Sequence, residues 1–315
     1  MSILIHAKDW DPAVWVEQIR AQAPGRRTVI DIADKKALAD VRYALVWKPN
    51  PGLLATLPKL EAIFNLGAGV DAILADRTIP PGIPLVRTVD PNMSMRMTEW
   101  ITLHVLLHHR QLPIYAAQQS KRIWNDLRQS AAEDMTVGIL GLGELGISAG
   151  KLLRQIGFQV VGWSRTKKSV DGIISYHGPA GLDQLLGQTD ILVCLLPLTT
   201  VTRGILNADL FSKLKRTGPL GAPVLINAGR GGEQVEKDIL AALDNGTLRA
   251  ASLDVFEIEP LPKESPLWHH PNVVVTPHNA ADSEAESLTR YVLGQIARHE
   301  GGQPLQNVVD RMRGY

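Results

Sequence analysis

The sequence predicts an α/β protein of two domains, each built on a parallel sheet with crossover helices. Three observations carry this. The chain has 315 residues, too many for one small core and suited to two of ordinary size. Short apolar runs alternate with helical patterns, which argues parallel strands joined by helices. The alternation breaks once, at a long helical stretch from about Ser94 to Gln118, and then resumes.

Before the break the strand candidates are Ile3 to His6, Thr28 to Ile32, Ala44 to Trp47, Ala62 to Asn65 and Leu85 to Arg87, with a helix signal from Pro12 to Ala23. After it come Thr136 to Leu140, Gln159 to Trp163, Asp190 to Leu195, Val224 to Asn227, Ala250 to Asp254 and Val273 to Thr276, read as a six-stranded unit. A last helix from about Ser283 to His299 leads away, and the polar tail to Tyr315 is expected to return to the first domain. That domain is therefore discontinuous, 1–98 with 284–315, around a second domain of 99–283.

Composition excludes several classes. With 33 Lys and Arg against 32 Asp and Glu the net charge is +1, so no global field recruits nucleic acid or an acidic membrane. The single cysteine, Cys194, lies in the apolar run Ile191 to Leu196 and reads as a buried, inert thiol, which fits a reducing cytoplasm. The start, Met1 to Asp9, has no basic, apolar leader, and no run approaches the ~18 apolar residues of a membrane span. A soluble, cytoplasmic protein is expected.

Gly141-Leu142-Gly143-Glu144-Leu145-Gly146 follows the strand Thr136 to Leu140 and opens the helical run Ile147 to Ile156. In that setting G-x-G-x-x-G marks a dinucleotide site. Gly141 makes the tight turn, Gly143 lets backbone approach a pyrophosphate, and Gly146 lets helix pack on strand, while the helix start offers N–H groups to the anion. The next strand ends in Trp163-Ser164-Arg165-Thr166-Lys167-Lys168, with no acid before Asp171. An acid here would accept bonds from the adenosine ribose of NAD. The donors and positive charge of Ser164, Arg165, Thr166 and Lys167 suit a ribose phosphate instead, so NADPH is expected over NADH.

Three residues beyond this loop carry keto-acid chemistry. Arg230 stands between Gly229 and Gly231, and its planar fork matches a 2-oxo carboxylate and can polarise the carbonyl. His278 follows Thr276-Pro277 at a strand end and is the candidate proton donor. A carboxylate beside an imidazole favours its charged form, a role for Glu259 with Glu257 as the rival. In the first domain, Ile63 to Asn65 runs into Leu66-Gly67-Ala68-Gly69, whose successive amides can hold a carboxylate facing Arg230. Trp47 and Trp100 are candidate pocket walls. His104 and His108 lie four apart on the long helix, but no third ligand accompanies them, so packing is expected and no metal.

Taken together, these segments resemble the D-isomer-specific 2-hydroxyacid dehydrogenases, and most closely their glyoxylate/hydroxypyruvate reductase A subgroup. Besides the segments above, Asp254-Val255-Phe256 with Glu259-Pro260-Leu261 and the closing Arg313-Gly314-Tyr315 carry the likeness, which spans nearly the whole chain. The resemblance implies two Rossmann-like domains, the first flavodoxin-like, and a homodimer joined largely through the nucleotide domain. It implies NADPH-dependent reduction of glyoxylate and hydroxypyruvate, and selects Glu259 over Glu257 as partner of His278. It also implies cofactor contacts from Leu196, Pro197, Thr202, Ala228, Asp254 and Ala280. Arg230 and His278 are further candidate cofactor contacts, and Trp47, Leu66, Gly67, Ala68 and Gly69 are the candidate substrate contacts read from their own segments. The segment Gly231 to Val235 departs from the usual pattern. A formate-dehydrogenase-like enzyme needs no such acid–histidine pair, and a nucleotide-sensing binding protein of the same fold is the rival from another class.

Overall fold

The computed structural model describes residues 2–8 and 10–314; Met1, Asp9 and Tyr315, which closes the Arg313-Gly314-Tyr315 ending, lie outside the described residues. The chain divides into two compact units, Met1–Met93 with Ser283–Tyr315, and Ser94–Asp282.

The first unit holds β1 (Ser2–Ala7), β2 (Arg27–Val29), β3 (Val41–Trp47), β4 (Ala62–Asn65) and β5 (Leu85–Val86). All pair in parallel, in the order β2-β1-β3-β4-β5. This is the flavodoxin-like order, in which the connection reverses direction beside β1 and leaves a crevice between the ends of β1 and β3. The alternating pleat sends Ile3 and Ile5 to one apolar layer and Leu4 to the other, so helices cover both faces. The helix Ala285–Glu300 supplies Leu288, Val292 and Ile296 to the first of these layers. The tail adds an antiparallel bridge, Val86 to Val308.

The second unit holds β6 (Thr136–Leu140), β7 (Gln159–Ser164), β8 (Ile174–His177), β9 (Ile191–Cys194), β10 (Val224–Asn227), β11 (Ala250–Leu253) and β12 (Val273–Val275). They form one parallel sheet in the order β12-β11-β10-β9-β6-β7-β8. The sheet has seven strands, where the sequence predicts six. The missed strand, β8, lies at the edge and reads Ile-Ser-Tyr-His, partly exposed throughout, so it carries no apolar run to betray it. The central strands are buried on both faces: Ile191 and Val193 join one layer, Leu192 and Cys194 the other.

The long helix also needs correction. It is two helices, Pro91–His109 and Leu112–Ser120, broken where Gln111 takes a left-handed conformation (φ 55°) just ahead of Pro113. Trp100, expected as a pocket wall, is buried in the core of the second unit with its ring 3.9 Å from that of His104. His104 Nδ1 and His108 Nε2 both lie 2.8 Å from the Ser252 hydroxyl on β11, which ties the first helix to the sheet. No helix among the described residues is long and apolar enough to cross a membrane.

Candidate active site

Every segment singled out in the second unit follows the C-terminal end of a strand. In an open parallel sheet those ends, and above all the point where strand order reverses, are where ligands bind. Here the reversal lies between β6 and β9. The glycine loop follows β6, and Gly141 (φ 108°) comes so close to the end of β9 that a Cβ would stand 2.6 Å from the Leu195 carbonyl oxygen. A Cβ on Gly146 would stand 2.0 Å from the Gly141 carbonyl, so only glycine lets the helix Glu144–Ile156 start against the loop. Around Gly143 a Cβ would meet nothing within 4 Å, leaving the helix start open to an anion. This fits a dinucleotide pyrophosphate over Gly141 to Gly146.

The turn after β7 is polar and outward. Arg165, Thr166 and Lys167 are exposed, while Ser164 is buried and its hydroxyl donates to the Thr166 carbonyl at 2.8 Å, fixing the turn. Lys168, beyond them, donates to the Leu142 carbonyl and links this turn to the glycine loop. Trp163 is anchored through Nε1 to the Gly178 carbonyl at 2.8 Å. Leu196 and Pro197 follow β9, where Thr202 closes the loop by donating to the Pro197 carbonyl at 2.7 Å. Ala228 and Ala280 are buried beside the strand ends.

The acid–base pair is formed by neighbouring strand ends. His278 Nδ1 lies 2.9 Å from Glu259 Oε2, both side chains about a quarter to a third exposed. A carboxylate only accepts, so Nδ1 is the donor in this pair and Nε2 is not used by Glu259. Glu259 is steadied by the Phe256 N–H, which donates to Oε1 at 3.2 Å. Glu257 turns away and accepts the Glu236 N–H at the start of another helix, at 2.9 Å. His278 adopts a left-handed backbone (φ 54°) that costs energy in a non-glycine residue and must be enforced by its surroundings. Asp254 enforces it. Its carboxylate accepts the Thr276 hydroxyl at 2.6 Å and the N–H groups of Asn279 and Ala280 at 3.0 Å each. Asp254 is thus turned to the histidine loop, a bracing role that its place in the sequence does not reveal.

Arg230 follows β10, half-buried, with Nη1 donating to the Gly229 carbonyl at 2.8 Å. Among the described residues no group of three or more His, Cys, Asp or Glu is arranged to hold a metal ion.

In the first unit the turn after β4 is organised by Asn65, which sequence reasoning left as a strand residue. Its buried amide donates to the carbonyls of Gly67 and Gly69 at 2.5 and 2.9 Å. Among the described residues the N–H groups of Gly67, Ala68 and Gly69 have no protein acceptor. Leu66 does not join them: its N–H donates to the Val46 carbonyl at 2.9 Å and its side chain is buried, so it continues the sheet rather than forming part of an anion nest. Trp47, at the end of β3, stacks on Trp10 and fills the space a side chain at Gly67 would need, 2.1 Å from its Cβ position.

A family model described as D-isomer specific 2-hydroxyacid dehydrogenase, NAD binding domain, matches residues 102–280. The chain belongs to this family. It is an oxidoreductase. Similarity to other members runs end to end: glyoxylate/hydroxypyruvate reductase A of Salmonella choleraesuis is 41% identical, with all of both chains covered. Its counterpart from Yersinia enterocolitica is 38% identical over the same full coverage. Among solved structures, an NADPH-dependent glyoxylate/hydroxypyruvate reductase from Sinorhizobium meliloti, in complex with NADP and sulfate, superposes with a TM-score of 0.95 at 48% identity, covering 100% of this chain and 99% of that one. A probable 2-hydroxyacid dehydrogenase from Rhizobium etli, in complex with NADP, HEPES and L(+)-tartaric acid, gives 0.93 at 44% identity with the same coverage.

Proposed function

We propose that this family member reduces small 2-keto acids with NADPH, taking glyoxylate to glycolate and hydroxypyruvate to D-glycerate, as a cytoplasmic homodimer. The observation that carries the reading is the Glu259–His278 pair, at 2.9 Å, on the same sheet edge as an open glycine loop and an arginine turn. The unit Ser94–Asp282 then binds the cofactor and the other unit contributes to substrate binding. Relatives of full-length similarity named for this reaction, and neighbours solved with NADP, support it.

NADPH bound over Gly141 to Gly146 would supply the hydride, with its ribose phosphate met by Arg165, Thr166 and Lys167. Arg230 takes the substrate carboxylate in a two-pronged contact and draws charge toward the carbonyl oxygen. In the other unit, the amides of Gly67, Ala68 and Gly69, beside Trp47, form a candidate anion-binding turn. His278 delivers its Nε2 proton to the oxygen as negative charge builds there, while Glu259 holds the ring in place. The geometry grips only the part shared by all 2-keto acids.

The test follows NADPH and NADH oxidation by absorbance with glyoxylate, hydroxypyruvate, pyruvate and phenylpyruvate. Turnover is expected with glyoxylate and hydroxypyruvate, and faster with NADPH than with NADH. Absence of turnover on all four would overturn the reading in favour of a nucleotide-sensing protein.

A further inference from the structure

Glu233 is fully buried at the end of the short turn Gly231–Glu233, immediately after Arg230. Its Oε2 accepts the Arg230 backbone N–H at 3.1 Å and the Cys194 thiol at 3.3 Å. It sits so close beneath the turn that a Cβ on Gly229 would stand 2.4 Å from it. The Glu233 N–H in turn donates to the Arg230 carbonyl at 3.2 Å. Asn227, also buried, completes the grip: Oδ1 accepts the Gly229 N–H at 3.0 Å, and Nδ2 donates to the Arg230 carbonyl at 3.3 Å and to Gln234 Oε1 at 3.0 Å.

An apolar side chain would fill this space at lower cost, since a buried carboxylate is stable only where donors surround it. Cys194 serves as one such donor, because burial and the neighbouring Glu233 charge push its thiol up and keep the proton on sulfur. Three of these bonds end on the backbone of a single residue, Arg230, one at its N–H and two at its carbonyl. Fixing that backbone fixes where the guanidinium begins, and a displacement of an ångström in such a group is enough to lose binding and rate.

We propose that Glu233 is a positioning residue for the substrate arginine, its buried carboxylate holding the Gly229–Arg230 turn so that the guanidinium meets a substrate carboxylate. This rests on the reading of Arg230 above. The test measures oxalate binding to the NADPH complex by calorimetry, with glyoxylate KM alongside, in the full-length protein, Glu233→Gln, Arg230→Ala and the double variant. Glu233→Gln keeps the volume and removes the charge; oxalate affinity should fall about tenfold, with glyoxylate KM rising in step and NADPH affinity within about twofold. On the Arg230→Ala background the same change should add nothing. Unchanged oxalate affinity in folded Glu233→Gln, or an equal loss without the arginine, overturns the inference. If Arg230→Ala alone leaves oxalate affinity intact, the reading of Arg230 falls and takes this one with it. Should Glu233→Gln not fold, Cys194→Ala removes one donor to the same carboxylate: a two- to threefold loss of oxalate affinity, about what one lost hydrogen bond gives, supports the inference, and no loss overturns it.

Discussion

His278 combines a strained backbone, a carboxylate partner at 2.9 Å and a loop braced by Asp254. Strain of this kind persists where surrounding bonds over-determine a conformation, and such positions cluster at functional sites. His278→Ala should lower turnover ~10²- to 10⁴-fold, the usual worth of positioned acid catalysis; near-normal turnover would remove it from the proton step. At this scale the sequence was informative where chemistry depends on residue type. Arg230 and His278 were legible because a cation and an imidazole each follow an apolar run, whereas Glu259 was separated from Glu257 only by the family resemblance. Asn65, Glu233 and the bracing by Asp254 were not, because their work is done through bonds to backbone atoms of turns whose shape the sequence does not spell out.

The helix Pro91–His109 joins the sheet through buried histidines. Burial pulls His104 down to about 4 and His108 to about 3, with the Asp254 charge opposing this at His104, and His104 and Arg249 reinforcing it at His108. His6 and His109 are pushed the same way by burial. Groups held neutral in the folded state but free to protonate near pH 6.5 when unfolded stabilise the fold above that pH. The unfolded chain binds more protons below it, so stability falls as pH drops from 6.5 toward 4, by up to about 1.4 kcal/mol per pH unit for each histidine. Urea midpoints between pH 7.5 and 4.5 should trace this loss, and His104→Gln with His108→Gln should flatten it. A slope unaltered by both changes would place the acid sensitivity elsewhere. The sequence marked His104 and His108 as a helix face but could not show that their common partner is Ser252, 144 residues away from His108 in the chain.

For the molecule as a whole, the proposed homodimer has a surface to account for. Trp124 is fully exposed, and Leu103, Leu112 and Ile123 are more than half exposed, all in the unit Ser94–Asp282. The segment bearing Trp124 is held to the helix Leu112–Ser120 by the Tyr115 hydroxyl, which accepts the Leu127 N–H at 3.1 Å. These exposed apolar groups are the candidate contacts of the proposed homodimer. Light scattering should give the mass of a dimer, and Trp124→Ser should shift it toward the monomer; a monomeric starting protein would end this reading.

The sequence by itself determined the α/β class, the glycine loop, the basic turn after β7 and the three residues proposed for keto-acid chemistry. Apolar periodicity and short motifs are local, and local physics writes them directly into residue order. Only the tertiary structure decided the edge strand β8, the break at Gln111, the loss of Leu66 from the anion turn and the burial of Trp100. The pairing of β8, the bond from Leu66 and the burial of Trp100 depend on which groups distant segments place beside one another. A hydrogen bond from Leu66 to Val46 leaves no trace in the order of neighbouring residues.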